Sequence, residues 1–321
     1  MLYSFKKLLP FIGFLLPISI DAERLNTHKT SIDLPSAHLN VYFDSPFSET
    51  NKAKLMQWLR VSSEAITTLY GSFPVEQVDV HLYHMDKANE PVPWGEVWKN
   101  GQYRVNFQVN PNFSLDRFVA DWTASHEFSH LLHPYPGLGN AWFGEGLASY
   151  YQNILRVRQH SLNETQAWQK LLEGFQRGEA QAKYNKVTLL QASQNMHSNG
   201  SYQHVYWGGA AYFLAVDIRL RKTTKGQESL DTAWYKFRQC CLSDNKTWPA
   251  KKLIEKLDQL TGTSVFSEEY DKNLPSRIFP DYRHSFKQLN IEIIKNRVQI
   301  IKGASPESRL RYRLLTANQI K

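Results

Sequence analysis

The chain has 321 residues, of which 42% are hydrophobic and 21% are charged, and its formal net charge is +8. This length is enough for a sizeable core, or for two subdomains that meet at a cleft. The sequence has no internal repeat or low-complexity tract, and no nucleic-acid-binding motif accompanies its positive charge. A repeat protein and a nucleic-acid partner are therefore both disfavoured.

The N-terminus has the pattern of a secretory signal peptide. Lys6 and Lys7 precede an apolar run, Leu8–Ile20, and Ile20-Asp21-Ala22 is a candidate cleavage site. The run is too short to cross a bilayer and contains two prolines, so an uncleaved membrane anchor is the less favoured alternative. We expect residues 1–22 to be a signal peptide and the mature protein to be periplasmic or secreted.

Residues 23–113 are predicted to form a β-rich N-terminal subdomain. The stretch Glu49–Tyr70 has the apolar spacing of a helix, and Tyr103–Val109 alternates apolar and polar side chains as a half-buried strand does. Four segments read as strands: Leu39–Phe43, Val78–Tyr83, Gly95–Trp98 and Tyr103–Val109. The expected fold class is α+β, with a small, mainly antiparallel sheet followed by helices.

Residues 114–275 are predicted to form a helical catalytic subdomain, which begins with one helix from Leu115 to His133. Ser114 is its candidate N-cap. The helix carries the most informative motif of the chain, His126-Glu127-Phe128-Ser129-His130, whose spacing puts both imidazoles on one helical face. Two neutral ring nitrogens so placed can bind one Zn²⁺, with Glu127 within reach of a water on that ion.

A zinc site needs a third protein ligand, and the best candidate is Glu145. It lies in a second predicted helix, from Asn140 to about Arg156, between Gly144 and Gly146. Each glycine costs roughly 1 kcal/mol in a helix interior, and a close approach of this helix to the first one would justify that cost. The alternative for a lone helical glutamate is a solvated surface residue.

The run W-F-G-E-G-L-A-S-Y-Y around Glu145, together with Tyr206–Ala211 downstream, resembles the gluzincin (thermolysin-like) zinc metallopeptidases. The resemblance is closest to the glycyl-aminopeptidase family, more distant to aminopeptidase N, and covers roughly Ala120–Leu242. It implies a thermolysin-like zincin domain in which Tyr206 donates a hydrogen bond to the oxyanion. Gly208 stands where those families usually have lysine.

Weaker candidates surround this set. Tyr202 lies one helical turn before Tyr206 and is the alternative donor, and both tyrosines could instead be core aromatics. Related aminopeptidases hold the substrate's free amine with a glutamate on an edge strand, and Glu96 in Trp94-Gly95-Glu96-Val97 is comparable. Its alternative is an ordinary strand carboxylate, so peptidase is a firmer prediction than aminopeptidase.

Two polar residues near the motif have less specific interpretations. Ser149 stands where thermolysin-like enzymes place a carboxylate that orients a ligating histidine, so another group must orient His126, or none does. His133 shares a helical face with His126 and His130, and we favour an interaction with the helix dipole over a role behind the ligands.

The residues and the resemblance together predict a zinc-dependent peptidase. One Zn²⁺ on His126, His130 and Glu145 leaves a fourth position open, and Glu127 is expected to activate the metal-bound water as general base. The partner is a peptide or protein substrate, cleaved in an aminopeptidase-like manner or as by an endopeptidase. The alternative is a catalytically inactive zincin domain that binds peptide or cell-envelope components.

The C-terminal segment, residues 276–321, is strongly basic. It has ten Lys or Arg against three Asp or Glu, which leaves +7. Such a segment could contact an anionic envelope surface, and the alternative is a solvated, partly disordered end. The only cysteines, Cys240 and Cys241, are adjacent, an arrangement that seldom forms a useful disulfide, and we expect packing residues rather than a redox site.

Overall fold

The computed structural model describes residues 28–99, 101–242 and 247–316. The predicted signal peptide, residues 1–22, lies outside these ranges and stays a prediction, as do the proposed subdomain boundaries. Within the described ranges, no helix combines the length and the apolar character needed to cross a membrane.

The N-terminal part of the chain is a sheet with one long helix. Its elements are β1 (His28–Leu34), β2 (Ala37–Phe43), α1 (Glu49–Thr67), β3 (Gln77–His84), β4 (Trp94–Lys99) and β5 (Tyr103–Val109). The four predicted strands and the predicted helix are confirmed, with bounds that differ by a few residues at most. Strand β1 was not predicted.

The sheet is mixed, which corrects the expectation of a mainly antiparallel one. Its strand order is β1-β2-β3-β5-β4. The outer pairs β1–β2 and β4–β5 are antiparallel, whereas β2–β3 and β3–β5 are parallel. Helix α1 carries the chain back between β2 and β3, and such a crossover makes the strands it joins parallel. Strand β4 is left at an edge.

One face of the sheet packs against helices, and this packing fixes the position of the histidine motif. Trp58 of α1 is fully buried and contacts Phe107 of β5 at 5.2 Å between ring centroids. Phe107 also meets Phe128, which lies inside the histidine motif, at 5.9 Å. Burying aromatic side chains of this size contributes strongly to the core, so the motif is fixed against the sheet.

Helices make up most of the remaining chain. The elements are α2 (Leu115–Val119), α3 (Thr123–His130), α4 (Ala141–Arg158), α5 (Glu164–Asn185), α6 (Leu189–Gln194), α7 (Met196–Asn199), α8 (Tyr202–Thr223), α9 (Leu230–Cys240), α10 (Ala250–Thr261), α11 (Val265–Asn273), α12 (Tyr282–Gln288), β6 (Ile291–Ile294), β7 (Arg297–Ile300) and α13 (Pro306–Leu315). The α+β class, with a small sheet followed by helices, is confirmed.

The predicted single helix from Leu115 to His133 is wrong, because it is broken between α2 and α3. The Thr123 backbone N–H donates to the Asp121 carboxylate at 2.8 Å. The Ala120 carbonyl accepts a hydrogen bond from Arg156 of α4. In a continuous helix both groups would take part in the helix's own backbone hydrogen bonds. Helix α2 therefore ends here, and α3 begins one turn before the motif.

The basic C-terminal segment is folded through Thr316, so a disordered end is excluded for the described part. Helix α12, the hairpin β6–β7 and helix α13 pack on the helical region. Arg311 is 6% exposed and donates to Glu164 at 2.7 Å and to the Leu289 carbonyl at 2.8 Å.

Cys240 and Cys241 form a disulfide, which corrects the expectation of two packing thiols. Helix α9 ends at Cys240, and Cys241 has left the helical conformation with φ −140°. Side chains of neighbouring helical residues point in diverging directions. Because Cys241 is not helical, its sulfur atom is free of that restriction.

Candidate metal centre

Three predicted ligands converge between α3 and α4. His126 and His130 lie on α3 and Glu145 lies on α4, and one ligand atom from each lies within 4.8 Å of the other two. Glu145 Oε2 is 3.2 Å from His126 Nε2 and 3.7 Å from His130 Nε2. Tetrahedral zinc with bonds of about 2.0–2.1 Å holds its ligand atoms about 3.3 Å apart. The two imidazoles and the carboxylate therefore fit one such ion.

The glycines beside Glu145 permit two different close approaches. A Cβ on Gly144 would lie 3.1 Å from the His133 ring and 3.5 Å from that of His130, so this glycine faces the end of α3. A Cβ on Gly146 would lie 2.4 Å from the Cα of Gly209. Gly146 thus serves the contact of α4 with α8, and only Gly144 fits the expected approach to the first helix.

Gln152 orients His126, a role that sequence reasoning did not assign. The His126 Nδ1 lies 2.8 Å from the Gln152 Oε1. Because an amide oxygen only accepts, Nδ1 carries the proton and the Nε2 lone pair is left for a metal. Gln152 is seven residues after Glu145, so the two lie on one face of α4, and this spacing is the signal that could have found it. Ser149 is buried and is not the orienting group.

His133 does not act on a helix dipole, which corrects the earlier expectation. It lies beyond the end of α3, with its Nδ1 2.7 Å from the Pro134 carbonyl oxygen and its Nε2 buried without a hydrogen-bond partner. Burial, reinforced by the positive charge of Lys99, lowers the pKa of His133 well below its usual value, which favours the neutral ring.

Lys99 of β4 is the cation at the end of α3, and no sequence pattern indicated it. Its ammonium donates to the carbonyl oxygens of His130 and His133. Burial lowers its pKa to about 7, against the opposing effect of the Glu145 charge. The lysine therefore ties the edge strand of the sheet to the helix that carries both histidines.

Glu127 lies in a buried position beneath the edge strand. A Cβ on Gly95 of β4 would lie 2.7 Å from the Glu127 side chain, so only glycine lets the strand pass this close. Burial raises the pKa of Glu127 to about 7, opposed by His126 and reinforced by Glu145 and Glu96. Burial also acts to raise the pKa of Glu145, but the charges of His130 and His126 outweigh it and lower the value to about 2. The two carboxylates thus differ in proton affinity, as a base and a ligand should.

Tyr206 of α8 lies against the same ligand set. Its hydroxyl is near the Glu145 carboxylate, and their interaction contributes to the lowered pKa of Glu145. Its ring stacks on His126 with 6.0 Å between centroids and 10° between planes. Burial and the Glu145 charge raise the pKa of Tyr206 well above its usual value, so the hydroxyl stays protonated and can donate.

The two weaker candidates have other partners. The Tyr202 hydroxyl pairs with the Nδ1 of His197 at 3.1 Å, whereas Tyr206 has the contact with the ligand set. The Glu96 carboxylate accepts a hydrogen bond from Asn106 of β5 at 2.7 Å. Side chains alternate along a strand, so Glu96 projects to the sheet face opposite to that of Gly95. It acts on Glu127 through its charge.

The similarity of this chain to known proteins lies in its fold. No protein-family model and no curated protein matches this sequence. An aminopeptidase N family protein from Idiomarina loihiensis superposes with a TM-score of 0.60 at 14% identity, over 83% of this chain and 49% of that one. An M1 zinc metallopeptidase from Deinococcus radiodurans superposes with a TM-score of 0.47 at 13% identity, over 78% of this chain and 52% of that one. The chain thus spans about half the length of these proteins, and it has the fold of the aminopeptidase N family protein, in agreement with the gluzincin resemblance.

Proposed function

We propose that the chain is a zinc-dependent peptidase of the gluzincin type. The observation that carries this proposal is the convergence of the ligand set with an acid–base group and a donor. His126, His130 and Glu145 surround one position, with Glu127 beside it and Tyr206 stacked on His126 with its hydroxyl near the ligand carboxylate. A histidine pair that arose by chance on a surface would not be expected to have both a carboxylate and a tyrosine hydroxyl placed beside it.

Each residue has a defined task in peptide hydrolysis. A zinc ion bound by the three ligands would polarise the scissile carbonyl and make a water nucleophilic. Glu127 accepts a proton from the attacking water and delivers it to the leaving amine, and its raised pKa suits both directions of transfer. Tyr206 donates a hydrogen bond to the oxygen on which negative charge develops. Gln152 holds His126 in the tautomer that ligation needs.

The edge strand β4 is the proposed binding surface for the peptide. It is paired on one side only, with β5, and its Gly95 touches Glu127. An extended peptide added to this edge would run past the zinc position. Glu96 as the anchor of a free substrate amine is the finer, aminopeptidase-like version of the proposal, and an endopeptidase would need no such anchor.

The experiment compares the zinc-loaded wild type with Glu127→Gln on a mixed peptide library, with zinc content and cleavage products measured by mass spectrometry. Glu255→Gln is the matched control, because Glu255 is an exposed residue of α10. Glu127→Gln should keep zinc and lose turnover, whereas Glu255→Gln should match the wild type. Equal cleavage by all three proteins would contradict the proposal. Zinc binding with no cleavage in the wild type would favour a peptide-binding zincin domain.

A second comparison addresses the amine anchor. Free and N-terminally blocked versions of one peptide series separate an aminopeptidase from an endopeptidase. If Glu96 holds the amine, Glu96→Ala loses activity on the free series alone.

We also propose export to the periplasm or medium on the basis of residues 1–22, and the N-terminal sequence of the mature protein would test this directly.

A further inference from the structure

A basic cavity lies on the molecule far from the metal centre. It has a volume of about 230 Å³ and lies between the C-terminal end of α8 and helix α13. Four exposed cations line it, Lys222 and Lys225 on the α8 side and Arg309 and Arg313 on α13. Lys222 is sixteen residues after Tyr206 on α8, so the cavity is about 24 Å along that helix from the catalytic tyrosine.

These four cations, here called the cation cluster, outnumber the acidic side chains that line the cavity. The Lys222 ammonium donates to the neutral amide oxygen of Gln288 at 3.0 Å, and Arg309 donates to a backbone carbonyl. The acidic residue that lines the cavity is Glu307. Interactions with its own backbone N–H and the Ser305 hydroxyl, and then the charges of Lys222 and Arg309, lower the pKa of Glu307, so its one carboxylate offsets only part of the positive charge. The cluster therefore keeps an excess of positive charge.

Two further residues lie beside this space. Arg221, with 4% of its side chain exposed, also lines the cavity, but its charge is paired with Asp217 at 2.9 Å from Nε and with Asp231 at 3.9 Å from Nη2. Arg313 lies over Gly226, where a Cβ would be 2.8 Å from its Nη1, so its guanidinium is placed next to the turn that carries Lys225. The backbone of Gly226 has φ +87°, a conformation that glycine adopts without strain.

We propose that the cavity binds a phosphate group, either of a soluble phosphate ester or of an anionic lipid headgroup. Convergent like charges repel one another, and a bound dianion removes that repulsion while it accepts their hydrogen bonds. Guanidinium groups match phosphate geometry with paired donors, and lysine adds a mobile point charge. This site goes beyond the peptidase proposal and does not depend on it.

The test uses two probes on the zinc-loaded full chain: inorganic phosphate in titration calorimetry at constant ionic strength, and sedimentation with phosphatidylglycerol or phosphatidylcholine vesicles. The test variants are Lys222→Gln/Lys225→Gln and Arg309→Gln/Arg313→Gln, all at exposed positions that should not impair folding. Lys251→Gln/Lys252→Gln on the exposed face of α10 is the control with the same loss of charge. Phosphate bound at the zinc ion would persist in every variant, so the contrast among variants isolates the cavity.

Each test pair should weaken binding by roughly tenfold or more, because charge-assisted hydrogen bonds are lost from two side chains. The control should bind like the wild type. Binding of inorganic phosphate alone would identify a soluble ester as the ligand, and binding of phosphatidylglycerol vesicles alone would identify a headgroup. The proposal is overturned if the wild type binds neither probe, or if the test pairs bind as the control does.

Discussion

The contact between α4 and α8 should decide whether the site assembles, and Gly209 is where it can be perturbed. A Cβ on Gly209 would lie 2.1 Å from the Trp142 carbonyl oxygen and 2.7 Å from the Cα of Gly146. Both are backbone atoms of α4, so no side-chain rotation can relieve the clash. Gly146 adjoins the ligand Glu145, and Tyr206 lies one turn before Gly209 on α8. Gly209→Ala should therefore separate the ligand from its tyrosine.

The size of the effect follows from the distances. Ordinary contact with a Cβ begins at 3.4 Å, so the helices must separate locally by 1.3 Å, the difference from 2.1 Å. Overpacking of this kind costs about 1–3 kcal/mol or more, against a helix-propensity gain of about 1 kcal/mol for alanine. A displacement near 1 Å of a catalytic group can reduce turnover roughly 100-fold.

Gly208→Ala is the matched control, one position earlier on the same helix. The close contacts of its Cβ would be the Leu189 methyl groups, at 3.0 and 3.1 Å, which can move aside, and the His204 ring would be in ordinary contact at 3.6 Å. The propensity gain is common to both variants, so urea unfolding should place Gly209→Ala about 1–3 kcal/mol or more below Gly208→Ala in free energy of unfolding. The peptidase assay should show the loss of kcat only in Gly209→Ala. If the two variants are equally stable and equally active, the reasoning about this helix contact is refuted.

Three further predictions concern positioning and pH. Gln152→Leu removes the acceptor of the His126 proton and should weaken zinc binding about 10–100-fold in a chelator competition, while Gln152→Glu should retain it. Lys99→Met leaves two carbonyl oxygens without their donor and should cost about 1–3 kcal/mol in urea unfolding, with an increase in KM if β4 binds the peptide. Burial acts to raise the pKa of Glu179, but hydrogen bonds led by Arg283 lower it to about 2. The stabilisation by Glu179 is therefore fully present above its unfolded pKa of about 4.3 and lost as pH falls through the folded value, so Glu179→Gln should cost about 1 kcal/mol after screening at pH 7 and about half as much at pH 3.

The ligand set was predictable because its geometry is local. His126 and His130 need only a helical turn to share a face, and even the broken helix α3 supplies that turn. Glu145 could be chosen because its flanking glycines are costly in a helix without a packing reason. The break before α3 could not be predicted, since it depends on Arg156, which is far along the chain and takes the Ala120 carbonyl.

Strand pairing and the residues that support the ligands could not be predicted from the sequence. Alternation along the chain located β3 and β5, but their parallel pairing depends on β4 lying outside β5 in the sheet rather than between the two strands. Lys99 carries no pattern that distinguishes it from a surface lysine, and only the crossing of β4 over the end of α3 buries it.

The amino-acid sequence by itself determined the groups of the proposed site: two imidazoles and a carboxylate for a metal, and a second carboxylate for protons. The imidazoles and the second carboxylate are fixed by spacing within one helix, a short-range property, whereas Tyr206 was chosen through the family resemblance. The tertiary structure alone decided that Gln152 orients His126, that Lys99 anchors the edge strand, and that four distant cations share one cavity. These arrangements join residues from different elements, so they arise only when packing of the whole chain brings those elements together.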